Sequence, residues 1–70
     1  MKRIGIISSN LSSVGYDEDN RILEIEFNNG KIYQYSDVDK SVYNELLNAE
    51  SIGRYFNKAI AKKYYYRKVS

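Results

Sequence analysis

Between Ile22 and Ser36 the chain reads ILEIEFNNGKIYQYS, two alternating apolar runs on either side of Asn28-Asn29-Gly30. That pattern predicts a β-hairpin. Strand side chains alternate with period 2, so Leu23, Ile25 and Phe27 share one face and Glu24 and Glu26 the other. The turn decides where Tyr33 and Tyr35 go. A two-residue loop at Asn29-Gly30 pairs Phe27 with Ile32 and sets both tyrosines beside the glutamates. A three-residue loop ending in a left-handed Gly30 with a G1 bulge pairs Phe27 with Lys31, Ile25 with Tyr33 and Leu23 with Tyr35. One residue of slip flips both tyrosines across the sheet. We take the three-residue loop. It gathers Leu23, Ile25, Phe27, Tyr33 and Tyr35 on one face and leaves Glu24, Glu26, Gln34 and Ser36 for water. Burying each large apolar side chain is worth roughly 1.5–3 kcal/mol. Tyr33 and Tyr35 then read as core with hydroxyls at the rim. A stacking platform for bases requires the other register or an uncovered face.

The remaining pattern builds around this hairpin. Ile4, Ile6 and Ile7 favour a strand, but the turn-like Ser8-Ser9-Asn10 interrupts them, so residues 1–10 stay ambiguous. Leu11 to Tyr16 reads as the first main strand, with Ser12, Val14 and Tyr16 alternating against Leu11, Ser13 and Gly15. Asp17-Glu18-Asp19-Asn20 is a polar turn. Asp37 to Asp39 opens a helix whose stripe is Val42, Leu46 and Ala49. Ser51 predicts a second N-cap, ahead of Ile52, Tyr55, Phe56, Ala59 and Ile60 at amphipathic spacing. Arg54, Lys58 and Lys62 recur every four residues on the opposite face. The tail from Tyr64 to Val69 has strand-like composition and reads as a short edge strand, with continuation of the helix as the alternative. The expected fold is α+β: a three- to four-stranded antiparallel β-meander packed against two C-terminal α-helices, in one domain spanning residues 1–70.

Composition narrows the chemistry. With 70 residues the core is thin. The chain has no cysteine and no histidine, which removes disulfides, thiolate chemistry, the usual zinc ligands and the usual general base. No apolar run approaches the roughly 20 residues of a membrane span, so a cytoplasmic, non-membrane protein is expected. Asp17-Glu18-Asp19 lacks the ligand spacing of a calcium loop. Ser51 has no base beside it and reads as a cap, not a nucleophile. The expectation is therefore a non-enzyme without cofactor or metal. Ser51-Ile52-Gly53 at a helix start could cradle a phosphate, or Gly53 could serve close packing.

The net charge of +2 hides an asymmetry. All nine acids lie in residues 17–50, whereas Arg54, Lys58, Lys62, Lys63, Arg67 and Lys68 occupy an acid-free stretch that also holds Tyr64, Tyr65 and Tyr66. Cations for phosphates and rings for bases are the two ingredients of single-stranded nucleic-acid binding. The competing reading is mutual attraction between the two halves of the chain. Ion pairs from Arg54, Lys58 and Lys62 to the acidic middle would leave no positive surface for a polyanion.

Several spaced residues resemble the KTSC domain family: Ser8-Ser9-Asn10-Leu11, Gly15-Tyr16-Asp17, Leu23-x-Ile25-x-Phe27, Tyr33-x-Tyr35, and Ser51-x-Gly53-x-Tyr55-Phe56-Asn57. The resemblance covers residues 7–64. It departs at Asp39, where a proline is expected after Val38. The domain is named for its occurrence at the C-terminus of some lysyl-tRNA synthetases and also stands alone in small bacterial proteins, with phage examples expected. The resemblance supports the fold, and the synthetase setting suggests RNA as a partner. An interaction module docking on an acidic protein, or pairing as a homodimer, is the alternative.

Overall fold

The computed structural model describes residues 1–70. Five strands, β1 (Arg3–Gly5), β2 (Leu11–Asp17), β3 (Ile22–Phe27), β4 (Ile32–Tyr35) and β5 (Tyr66–Lys68), make one antiparallel sheet in that spatial order. Helices α1 (Lys40–Asn48) and α2 (Ile52–Ala59) fall between β4 and β5 and cover one face. The expected meander is present, with the tail as the expected edge strand and one addition at the N-terminus. The ambiguous N-terminus supplies β1 beside β2, and the tail forms the edge strand β5 beside β4.

The hairpin takes the three-residue loop. Ile25 lies opposite Tyr33 and Leu23 opposite Tyr35. Phe27 N–H donates to the Lys31 carbonyl at 2.9 Å, and Gly30 sits at φ +89°, where a Cβ would be strained. Leu23 and Ile25 are fully buried, and Tyr35 is 4% exposed. One irregularity departs from simple alternation. A bulge between Leu11 and Ser13 returns Leu11 to the covered face, opposite Phe27, alongside Val14.

Each helix is seated by few groups. Phe56 of α2 meets Phe27 and Tyr35 edge-on, both at 5.5 Å between ring centroids. Tyr43 of α1 stacks on Tyr16 of β2 at 5.2 Å, and the Tyr16 hydroxyl donates to the Val38 carbonyl just before α1. Asp39 occupies the N-cap position of α1, but its carboxylate makes no cap bond and is held by Arg21 instead. The acidic helix start is therefore corrected: α1 has no acid in its first turn.

The other face of the sheet is not left to water. Glu24 is 8% exposed, with Arg3 Nη1 donating to Oε2 and Gln34 Nε2 to Oε1, both at 2.8 Å. Gln34 Oε1 in turn accepts from Arg67 at 3.3 Å. The chain β1–β3–β4–β5 of polar side chains satisfies a carboxylate that the central strand cannot expose. Arg3 reaches Glu24 by crossing Gly15, which pairs with both residues.

Candidate nucleic-acid interface

Helix α2 carries the first cations. Ser51 Oγ accepts from Arg54 N–H at 3.3 Å, the expected N-cap. Gly53 and Phe56 turn inward, and Arg54 and Lys58 stand exposed on the opposite side. These two border a small cleft of about 220 Å³ with Glu50 and Tyr55 at the α1–α2 junction. The helix stops at Ala59 because Ile60 is fully buried as its cap, and Phe56 O accepts from both Ile60 N–H and Ala61 N–H. Lys62 and Lys63 therefore sit in a turn beyond the helix, and the fourfold stripe ends at Lys58.

None of Arg54, Lys58, Lys62, Lys63, Arg67 and Lys68 forms an ion pair. The three ion pairs are Arg3–Glu24, Arg21–Asp39 and Lys40–Glu18, all outside the basic stretch. The attraction expected between acidic and basic halves is not made by these cations.

Strand β5 sorts the tail by alternation. Tyr66 lies opposite Tyr35 and Lys68 opposite Tyr33, on the helix side of the sheet. Arg67 lies opposite Gln34 on the far side and is tied to it. Tyr64 packs against the core, whereas Tyr65 is 78% exposed. The nine residues expected to act together are thus divided: Arg54 and Lys58 on α2, Lys62 and Lys63 in the turn, Tyr64 against the core, Tyr65 exposed, Tyr66 and Lys68 on the covered side, and Arg67 behind.

Two helices do not span five strands, and past the end of α2 an open groove of about 310 Å³ remains. Phe27, Tyr33, Tyr35, Ala61 and Tyr66 line it, with Asn29 and Lys31 at the hairpin end. Tyr66, half exposed, is braced by Tyr33 and Tyr35 at 5.6 and 5.5 Å between centroids. The Tyr35 phenol is pushed up to about 12, by burial first and then by Tyr66 and Tyr33, so it keeps its proton at any physiological pH. The sequence pattern puts Phe27, Tyr33 and Tyr35 on one face with Lys31 opposite Phe27, but Phe27, Asn29 and Lys31 were not among the expected site residues. The signal lay in the loop register, which pairs Lys31 with Phe27.

The remaining motif residues are structural in placement. A Cβ on Gly53 would stand 2.5 Å from Asn10 Oδ1 and 3.1 Å from Ser8 Oγ. The first turn of α2 is pressed onto the Ser8–Asn10 turn, where Ser8 Oγ donates to Asn10 Oδ1 at 3.2 Å. Close packing accounts for Gly53. Tyr55 donates to Glu45 at 3.2 Å, and burial, then that bond, raise its pKa. Asn57 is exposed. The Asp17 carboxylate accepts from Asn20 N–H and side-chain amide, bonds that lower its pKa within the polar turn. No group of three or more His, Cys, Asp or Glu is placed to hold a metal, and no helix is long and apolar enough to cross a membrane.

Gly53→Ala tests the packing. Alanine gains about 1 kcal/mol of helix propensity, but its Cβ collides with a side chain already engaged. We expect net destabilisation of about 1 kcal/mol in urea melts, reversed to a gain when Asn10→Ala removes the obstacle. Destabilisation that persists in the double variant would disprove the contact.

The KTSC domain family model matches residues 7–65. An uncharacterized protein of Stutzerimonas stutzeri is 45% identical over 65 residues, covering 93% of this chain and 92% of that protein. The lysine–tRNA ligase of Nostoc punctiforme is 37% identical over 60 residues, covering 86% of this chain but 11% of the ligase. Among solved structures, a KTSC domain protein from Yersinia pestis superposes with a TM-score of 0.93 at 40% identity, covering 99% of this chain and 97% of that one.

Proposed function

The chain belongs to the KTSC domain family, and from that premise we propose that it is a non-enzymatic, cytoplasmic domain that binds single-stranded RNA. The observation that carries this reading is the absence of any carboxylate partner for Arg54, Lys58, Lys62, Lys63 and Lys68, while every ion pair of the fold lies elsewhere. Exposed, unpaired cations are free to neutralise phosphates and so to release the counterions condensed on a nucleic-acid strand. The relatives named lysine–tRNA ligase add support, because a matching segment resides in proteins named for an RNA substrate.

Anisotropy titration with labelled single-stranded RNA tests it. Contact with three or four phosphates gives a log–log salt slope of about −2 to −3. Lys58→Glu/Lys62→Glu is expected to shrink that slope by about 1.4, the share of two contacts, and to weaken binding at low salt while leaving the circular dichroism unchanged. No binding by the native chain at low salt, or an unaltered slope in the variant, would refute the proposal.

A second reading, an interaction module for an acidic protein or a second copy of the chain, rests on the open β1 edge with Met1, Ile4 and Ile7 exposed beside it. Concentration-dependent self-association, or a direct complex with a defined acidic protein that survives nuclease, would favour it over RNA.

A further inference from the structure

We propose that the groove past the end of α2 holds one nucleobase of the bound strand, stacked on Tyr66, with flanking phosphates on Lys31 and Lys68. This deepens the RNA-binding reading and rests on it.

Size comes first. About 310 Å³ is at the small end of ligand sites, enough for a single nucleoside-sized group and too little for an extended segment. The lining is aromatic, and Tyr66 offers a half-exposed ring already held by its contacts with Tyr33 and Tyr35. A braced ring loses little freedom when a base stacks on it.

The polar groups agree with that occupant. No buried side-chain oxygen or nitrogen lacks a partner, yet the Tyr35 hydroxyl makes no hydrogen bond within the protein. The residue is 4% exposed and lines the groove, so its oxygen keeps a small solvent-facing area. A phenol that keeps its proton is a donor there, suited to a carbonyl acceptor on a base edge. Asn29 Oδ1 is engaged by Lys31 N–H at 3.0 Å, and the Asn29 amide hydrogens have no partner within the protein.

Charge sets the class. Lys31 lies in line with Phe27, and Lys68 stands opposite Tyr33, both on the groove side of the sheet, and neither forms an ion pair. No acid lines the groove. A ring flanked by negative charge, with acceptors on its edge, matches these walls.

The test compares octauridylate with an abasic strand of equal length, both read by anisotropy at low salt. The native chain is expected to bind octauridylate about tenfold more tightly than the abasic strand, the effect of one stacked base. Tyr66→Ala and Tyr66→Leu are expected to bring that ratio close to one without changing affinity for the abasic strand. Tyr35→Phe lowers octauridylate affinity alone. Lys58→Glu/Lys62→Glu weakens both strands alike. A ratio unchanged in both Tyr66 variants overturns the groove assignment while RNA binding stands. Failure of the native chain to bind either strand overturns both. Uridine monophosphate saturating the Tyr33 and Tyr66 ring-proton shifts at the concentrations at which octauridylate does would overturn it too, reassigning the groove to free nucleotides.

Discussion

Gly15→Val is expected to unseat the first strand and cost the domain about 2–3 kcal/mol, the range for overpacking plus a lost charged hydrogen bond. Gly15 lies in β2 between Arg3 of β1 and Glu24 of β3. A Cβ there would stand 2.8 Å from the Lys2 carbonyl oxygen, 2.9 Å from Arg3 Cγ and 3.3 Å from Arg3 Cα. Two of those atoms are backbone and cannot swing aside. Valine suits a strand, but that preference is small against such a collision. β1 pairs at only Arg3, Ile4 and Gly5, so it yields before β2 does. Once it lifts, Arg3 no longer reaches Glu24, and the carboxylate keeps Gln34 alone. Urea denaturation followed by circular dichroism measures the loss. The mechanism has its own signature: Arg3→Ala, costing about 1–2 kcal/mol in the native chain, should cost almost nothing after Gly15→Val. Full additivity of the two changes would show that Gly15 is not there to let Arg3 pass.

That arrangement shows where a linear reading stops. The hairpin register was legible because Gly30 supplies the left-handed turn residue and the volume of five side chains depends on it. The pattern of α2 was legible because Phe56 and Ile60 recur on one side and Ser51 caps it. Glu24 looked like a surface residue because its alternation with Leu23 and Ile25 is ordinary; its partners come from twenty-one residues before and ten after. β1 left no alternation to detect, since its three residues are half-buried or exposed. The bulge at Ser12 adds a residue that period-2 counting cannot see.

The candidate site was legible to a similar depth. Charge segregation identified the free cations: of the acids of the middle, Glu24, Asp39 and Glu18 are taken by Arg3, Arg21 and Lys40, and Asp17, Glu26 and Glu45 bond other side chains. The groove was not legible. It exists because α2 ends at Ala59 while β4 continues to a further strand, a mismatch of widths between layers that no single segment encodes. Lys62 was placed on the helix face by spacing alone, and the buried Ile60 moved it off.

Leu46→Ala is expected to cost about 3 kcal/mol, within the range for a fully buried leucine, and to melt α1 first. This helix has nine residues, too few to persist alone in water. Its cap residue makes no side-chain bond to the helix, and neither the first nor the last turn carries a charge that favours the helix dipole. Leu46 is its one fully buried side chain, with Val42, Tyr43 and Leu47 packed around it only in part. Truncation leaves a cavity over the sheet that these half-exposed neighbours cannot fill without lifting the helix. A chain of this size has about 4–10 kcal/mol of stability in all, so the loss is a large fraction. Hydrogen exchange should show the amides of α1 unprotected while those of β3 and β4 remain slow; equal loss across the fold, or a cost below 1 kcal/mol, would contradict this seating. The variant also separates fold from function. The cations proposed to hold RNA lie on α2, in the turn after it and on the hairpin and tail strands, none on α1. Well below its melting transition, Leu46→Ala should therefore bind single-stranded RNA with the native salt slope, whereas Lys58→Glu/Lys62→Glu should keep native stability and show a slope smaller by about 1.4.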